Sequence, residues 1–592
     1  MYTILKSYQI IIGLLKKYGI SHCVLSAGSR NVPFVHSVEE DPYFHCYSVV
    51  DERSAAYFAL GLSQEINEPV VISCTSSTAT CNYWPAVAEA FYQGVPLIVL
   101  TSDRDPARLG QWEDQMIDQV GMYDRHVRKS VNLPILEGED KDGEIFCQRL
   151  VNEALLELNH HGTGPVHINI PMKSYNTQFY AKELMPVIKI DRLCLEDDSS
   201  KWHNKVNTLK KAKRILVTCG QQSFVTDRLQ KGLKAFFERY NAVIAIEHMS
   251  NIELEEGINT NVCMDVRFAT TQKVEELLPD IVISFGGQVF SGLKEQLKNN
   301  CGKFEHWLIQ EDGRVVDLYK SITTIFECTP EYFFDLCCHE SDTSIYNDRK
   351  YYSKFKEYAD SVGIPEFTWS HIYAIKNVVE RIPEHSILHL SINDSIRIAN
   401  FFKLKSDIKT YANIGTHGID GCMSSFFGQA IVSDRQAYLI IGDLAFFYDM
   451  NAIRLRHIRN NCHILLINNE GGSEFYYNGI WQNESSDLHT TARHHTKAEG
   501  WVKSNNYIYL CAHDKESFQE SLKTFMRDDL NSPVLLEVFT EMKRDANAIH
   551  NYYDMYRPRD VKAETIKKTK QLIKATLGAD KVHEIAEKLK RK

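Results

Sequence analysis

Ala437-Tyr438-Leu439-Ile440-Ile441-Gly442-Asp443-Leu444 is an apolar run that ends on a glycine and a carboxylate. Such a run reads as a strand buried on both faces of a parallel sheet. The pattern recurs downstream, where Ile464-Leu465-Leu466-Ile467 leads into Asn468-Asn469-Glu470-Gly471-Gly472. Each polar motif therefore stands at the C-terminal end of a strand, the place where open α/β sheets bind ligands. Asp443 offers a carboxylate, Asn469 an amide oxygen and Gly471 a turn carbonyl. A hard octahedral ion such as Mg²⁺ takes oxygens of this kind and completes its shell with phosphate. The pair reads as a magnesium diphosphate site. Taken alone, Gly-Asp and Asn-Asn suit a tight turn and a hairpin more often than a metal site; strand context and motifs farther upstream reverse that balance.

The rest of the chain fits a large cytosolic enzyme. Its 592 residues suffice for three or four domains, each with its own core. A net charge of −10 argues against nucleic-acid binding, which calls for a basic surface. Fifteen scattered cysteines without a CxxC spacing read as reduced thiols, and a cytoplasmic location is expected. The apolar stretch Ile10-Ile11-Ile12-Gly13-Leu14-Leu15, bracketed by Lys6 and Lys16-Lys17, is too short to span a bilayer and reads as an amphipathic first helix.

Working outward, three αβ blocks appear. In residues 1–185, strands such as Cys23-Val24-Leu25, Val70-Val71-Ile72-Ser73 and Leu97-Ile98-Val99-Leu100 alternate with helical patterns, which implies a doubly wound parallel sheet. A second block at 200–340 carries Arg214-Ile215-Leu216-Val217, Ala242-Val243-Ile244-Ala245-Ile246 and Ile281-Val282-Ile283-Ser284. Residues 340–368 read as a linker, and 369–550 form the third block, with the opening motifs. Residues 551–592 read as a basic helical extension. The fold class is α/β with three doubly wound parallel-sheet domains; whether blocks one and three are distant structural duplicates is a question the sequence leaves open.

The first block holds Asp51-Glu52-Arg53-Ser54-Ala55, with Glu52 at a strand-to-helix junction. By itself Glu52 is a helix N-terminal acid that favours the macrodipole. Its company makes the reading specific. Ser26-Ala27-Gly28-Ser29-Arg30, Cys74-Thr75-Ser76-Ser77-Thr78-Ala79, Thr101-Ser102-Asp103-Arg104, Gln115-Met116-Ile117-Asp118-Gln119, Phe285-Gly286-Gly287, Ser395-Ile396-Arg397 and Gly418-Ile419-Asp420-Gly421 precede Gly442-Asp443-Leu444 in order. Asp443 and Asn469 are 26 residues apart, close to the thiamine diphosphate (ThDP) fingerprint, and Leu444 replaces that fingerprint's usual second glycine. Over about residues 1–550 the chain resembles the 2-succinyl-5-enolpyruvyl-6-hydroxy-3-cyclohexene-1-carboxylate (SEPHCHC) synthase family of ThDP enzymes.

The resemblance implies a three-domain architecture: a pyrimidine-binding domain, a central Rossmann-like domain and a diphosphate-binding domain. It implies the cofactors ThDP and Mg²⁺, with Asp443, Asn469 and Gly471 on the metal and Gly442 and Leu444 beside the diphosphate. Glu52 would activate the cofactor through its aminopyrimidine ring, and Ile419 would wedge beneath it. A 2-oxo acid would lose carbon dioxide and pass an acyl-anion equivalent to an acceptor. Ser29, Arg30, Arg104 and Gln115 match acceptor-binding positions, while Asn393, Arg397, Glu474 and Phe475 fall on the donor side. Arginine suits carboxylates because its planar fork pairs bidentately. A homodimer or homotetramer with active sites between subunits is expected.

Departures from the family pattern are confined to substrate positions. Asn413-Ile414-Gly415 has isoleucine where a donor-carboxylate arginine is expected, and Glu474 places a negative charge beside the donor. The acceptor-side lysine after Phe-Gly is missing at Gly292, so that Lys294 would serve only in a shifted register; Asn393, Asp114 and His417 also differ. Losing the partner of a desolvated carboxylate typically costs about 2–5 kcal/mol. The expectation is a ThDP- and Mg²⁺-dependent decarboxylase and carboligase whose substrates have diverged. Authentic SEPHCHC synthesis from 2-oxoglutarate and isochorismate is the alternative, and a non-catalytic ThDP-binding scaffold is a third reading, disfavoured by Glu52. His489, His494 and His495 lack a nearby cysteine or carboxylate cluster and read as surface or lid histidines.

Overall fold

In the computed structural model, residues 1–175, 178–197, 199–267, 275–338, 344–476 and 488–556 are described. The expected C-terminal extension lies almost wholly outside them. The chain divides into two compact units, one of residues 1–205 and 305–329, the other of 206–304 and 330–592.

The first unit is built on β1 (His22–Leu25), β2 (His45–Ser48), β3 (Val70–Cys74), β4 (Leu97–Arg104), β5 (Lys129–Asn132) and β6 (Val166–Met172). All pair in parallel, in the order β2-β1-β3-β4-β6-β5. Successive side chains enter opposite cores, Val71, Ile98 and Leu100 on one face and Val70, Ile72, Leu97 and Val99 on the other. This is why the strands are apolar without alternation. The helix Lys6–Tyr18 is buried from Ser7 through Leu15 and joins the first of these cores, so its middle turns are covered on every side.

Strands of the middle block occur in both units. The first unit contains β7 (Asp191–Cys194), β12 (Glu305–Ile309) and β13 (Ile322–Glu327), with β13 between the other two. The second contains β8 (Ile215–Cys219), β9 (Val243–Ile246), β10 (Ile258–Asn259) and β11 (Ile281–Phe285), ordered β10-β9-β8-β11.

The second unit also holds β14 (Ser386–Leu390), β15 (Ile408–Tyr411), β16 (Gln436–Gly442), β17 (Cys462–Asn468), β18 (Ile508–Ala512) and β19 (Val534–Phe539). Their order is β15-β14-β16-β17-β19-β18, again wholly parallel. Counted from the first strand of each, the two six-stranded sheets have one topology, 2-1-3-4-6-5. Strand order reverses next to the first strand in both, which opens a crevice at the C-terminal strand ends. The segment read as a linker differs from expectation: it contains the helix Lys350–Asp360, whose Tyr351, Phe355 and Tyr358 are buried. Three aromatic side chains spaced along one face drive that packing.

Candidate functional site

The opening motifs stand where the sequence places them, at the ends of β16 and β17. Asp443 begins the helix Asp443–Tyr448 and is buried. Its Oδ2 accepts hydrogen bonds from the backbone N–H of Asn469 and of Gly471, both at 3.0 Å, and its Oδ1 from that of Leu444 at 2.6 Å. The carboxylate is thus fixed by the two turns that would share a cation with it. Asn469 donates Nδ2–H to Asp545 Oδ2 at 2.9 Å, and its Oδ1 accepts no hydrogen bond among the described residues. Gly471 has φ +148°, and a Cβ there would meet the Thr491 carbonyl at 2.7 Å and Met542 Sδ at 3.0 Å. At Gly442 a Cβ would meet nothing within 4 Å, so open space faces the turn. A carboxylate, an amide oxygen and a backbone carbonyl beside free space match the donor set of a hard cation with phosphate.

The three histidines named from the sequence take different places around this turn. His494 Nε2 lies 3.4 Å from Asp443 Oδ2, and that carboxylate raises the imidazole pKa. His495 pairs with Glu470 at 3.1 Å, whereas His489 is merely exposed. Behind Asn469 runs a buried polar chain. Asp545 also accepts from Thr540 Oγ1 at 2.6 Å and from the His371 backbone at 2.9 Å, and the His371 ring lies 3.4 Å from Asp545 and 3.6 Å from Asp394. Burial opposes a charged His371, but the Asp545 and Asp394 carboxylates outweigh it and raise its pKa. Burial raises the carboxyl pKa of Asp545.

That chain ends at the residues expected on the donor side. Asp394 accepts from Ser473 Oγ at 2.7 Å and stands 3.5 Å from Arg397 Nη1, while Arg397 Nη2 stands 3.3 Å from Glu474 Oε1. Burial raises the Glu474 carboxyl pKa, Arg397 pulls it back, and Asp394 adds to the rise. Asn393 sits at φ 63° just ahead of its helix, and Phe475 lies so close to Gly472 that a Cβ there would be 2.8 Å from the ring. Ile414 is fully buried in the core beneath the third sheet. Ile419 is half-buried and touches both cores that flank this sheet, leaving part of its side chain free. His417, at φ 55°, bonds Gln288 Oε1 at 2.9 Å.

The remaining candidates lie in the first unit, at the end of β4 and in the segments that follow β1, β2 and β4. Gly28 is obligatory, since a Cβ would lie 2.4 Å from Thr75 Cβ. Arg30 is buried, donates from Nη1 to Gln115 Oε1 at 2.8 Å and stacks over Tyr175 at 5.6 Å; Ser29 beside it is exposed. Burial and the nearby Arg104 lower the Arg30 pKa, so two guanidinium groups share one region. Arg104 Nη1 also meets Glu113 at 3.2 Å. Gln115 sits at φ 51°. Glu52, half-buried, opens the helix Glu52–Ile66, which Asp51 caps by accepting from the Ser54 backbone at 2.9 Å. The buried Ala55, Ala56 and Ala59 let this helix pack closely on its sheet.

Comparison with known proteins gives these two clusters a common context. Residues 5–122 match the thiamine pyrophosphate enzyme N-terminal TPP binding domain. A SEPHCHC synthase of Bacteroides thetaiotaomicron is 37% identical over 563 residues, covering 94% of this chain and 100% of that protein. The enzyme of that name from Bacteroides fragilis is 36% identical over 559 residues, covering 93% and 99%. The one from Flavobacterium psychrophilum is 30% identical over 560 residues, covering 92% and 98%. With its motifs at the strand ends that bind ligands in such sheets and with similarity along nearly its whole length, the chain belongs to the SEPHCHC synthase family of thiamine diphosphate-dependent, C–C bond-forming enzymes.

Proposed function

We propose that this enzyme uses ThDP with Mg²⁺ to decarboxylate a 2-oxo acid lacking a distal carboxylate and to transfer the acyl-anion equivalent to an acidic acceptor. The observation that carries the donor assignment is the Arg397–Glu474 pair. A distal carboxylate would have to compete with an internal one for the same guanidinium, and Asp394 already flanks its other nitrogen. With isoleucine in the core at 414, no second arginine joins it there. Pyruvate, or a donor with a hydroxylated or cationic tail, suits such a neutralised pair.

Asp443, Asn469 and the Gly471 carbonyl are the residues that would hold Mg²⁺, with Gly442 and Leu444 beside the diphosphate. Bound ThDP supplies the carbon nucleophile and the electron sink for decarboxylation. Glu52 would offer a carboxyl group to the aminopyrimidine, and Ile419 would offer the cofactor an apolar side chain. Arg30, Arg104, Gln115 and Ser29 form a cationic and polar patch that suits an anionic acceptor. We assign residues 1–185 to the pyrimidine-binding domain, 200–340 to the central domain and 369–550 to the diphosphate-binding domain of a cytoplasmic homodimer or homotetramer. Exposed Tyr57, Phe58, Trp84 and Tyr92 on the helices Glu52–Ile66 and Thr78–Gln93 favour self-association.

Carbon dioxide release from the ThDP–Mg²⁺ holoenzyme, measured over a panel of 2-oxo acids without acceptor, tests the assignment. Pyruvate or another monocarboxylate should lead; robust SEPHCHC formation from 2-oxoglutarate and isochorismate would overturn it.

A further inference from the structure

The first unit contains a second cluster, apart from every residue assigned above. The turn after the helix Lys141–Leu156 carries His160 and His161, and both rings face Glu327 at the end of β13. His160 Nε2 lies 3.2 and 3.0 Å from the two Glu327 oxygens, and His161 Nε2 lies 2.6 Å from Oε1. The two nitrogens and the carboxylate oxygen all fall within 4.8 Å of one another, which no other histidine, cysteine or carboxylate group matches among the described residues. Glu327 is 7% exposed and His160 12%.

Hydrogen-bond accounting makes this arrangement awkward without a cation. His160 Nδ1 lies 3.1 Å from Glu157 Oε2, and Glu157 is itself anchored by Arg192 at 2.8 Å. A neutral His160 that donates Nδ1–H to Glu157 turns the Nε2 lone pair on the Glu327 carboxylate, acceptor against acceptor. The two imidazole rings stand with centroids 4.2 Å apart, so that one divalent ion between them and Glu327 would take the ring lone pairs and the carboxylate charge together. A ring nitrogen held by a carboxylate, with the other aimed at the ion, is also the outer-shell arrangement that orients metal-binding histidines. Four-coordinate ligands at about 2.0–2.1 Å from zinc lie about 3.3 Å apart, close to the spacing already present. Room is provided from behind: Gly313, at φ +63°, is the only residue type that fits, since a Cβ would lie 2.6 Å from Glu327 Oε2 and 3.2 Å from His160 Nε2. Cys194 Sγ, 3.1 Å from Glu327 Oε2, steadies the carboxylate from the end of β7.

We propose that His160, His161 and Glu327 bind one first-row divalent metal ion, Zn²⁺ by the character of its two imidazoles and carboxylate, at a site that ties the His160 turn to the ends of β7 and β13.

The test uses the full chain loaded with ThDP and Mg²⁺, stripped of transition metals with a chelator and then titrated with Zn²⁺ or Co²⁺. One equivalent of Zn²⁺ per chain should be retained through gel filtration, and Co²⁺ should give the intense visible absorption of a four-coordinate site. His161→Ala and Glu327→Gln should each weaken Zn²⁺ at least about 10-fold, the lower bound even for outer-shell losses, with decarboxylation by the holoenzyme unchanged. His161 is 63% exposed, so its removal opens no core and keeps the test valid should Glu327→Gln misfold. No retained zinc in the unsubstituted chain, equal retention in His161→Ala, or only the weak absorption of six-coordinate cobalt would each overturn the proposal.

Discussion

Replacing Glu474 by glutamine should move donor preference toward dicarboxylates. Glu474 and Arg397 are each 27% exposed and 3.3 Å apart. At an effective dielectric of about 20 their gross attraction is about 5 kcal/mol, most of it offset by the desolvation of both groups. Glutamine keeps the volume and removes the charge, so a donor's distal carboxylate no longer competes with an internal one. A charge-assisted hydrogen bond to the freed guanidinium contributes about 1.5–3 kcal/mol. Asp394, 3.5 Å from Nη1, stays in place and caps the gain at the lower end. The ratio of kcat/KM for 2-oxoglutarate to that for pyruvate should therefore rise about 10-fold, and not beyond about 100-fold. Acceptor-free carbon dioxide release by purified enzyme measures it. A ratio within threefold of the original, or a shift toward pyruvate, would refute the claim that Glu474 sets donor charge.

Two further outcomes are expected. Glu52→Gln should lower decarboxylation and cofactor C2-proton exchange by at least about 100-fold while ThDP binding, followed by calorimetry, persists. Glu247 is fully buried, accepts one hydrogen bond from the Phe290 backbone at 2.8 Å, and has its carboxyl pKa pushed by burial from 4.5 up to about 7. A raised carboxyl pKa stabilises the fold fully below pH 4.5 and loses that contribution as pH rises through 7, about 3 kcal/mol in all. Glu247→Gln should flatten the fall in Tm between pH 5 and 8, and an unchanged slope in thermal melts would exclude this group as its source.

What was readable in advance was local. Gly442-Asp443 and Asn468-Asn469 were legible because both follow strands whose apolar side chains are all buried, so the run of apolar residues ends where the chain must turn. Glu52 was legible as a helix start because Asp51 caps it. Asp545, His371 and Asp394 were hidden because the bonds that tie Asp545 to Asn469 and to the His371 backbone, and Asp394 to Ser473, span 76 to 174 positions and follow no spacing rule. Ile414 read as a lost anchor, and the structure shows it to be core packing as well. His494 read as a surface or lid histidine, and only the fold of the segment from 488 onward brings it to Asp443. The helix Lys350–Asp360 was obscured by its charge, although its tyrosines and phenylalanine recur at helical spacing.

Several candidate substrate positions share a backbone property. Gln115, Asn393 and His417 all hold left-handed φ angles, as does Ser77 next to the first crevice. For residues other than glycine this conformation costs about 1–2 kcal/mol each, and it recurs where side chains must be aimed. A replacement at such a position must satisfy the chemistry and tolerate the backbone, and the asparagine and histidine at 393 and 417 belong to the residue types that enter this region most readily. Ile414 is held instead by core packing. Glu474 carries neither constraint, so donor specificity can shift there by a single substitution while the surrounding frame stays in place.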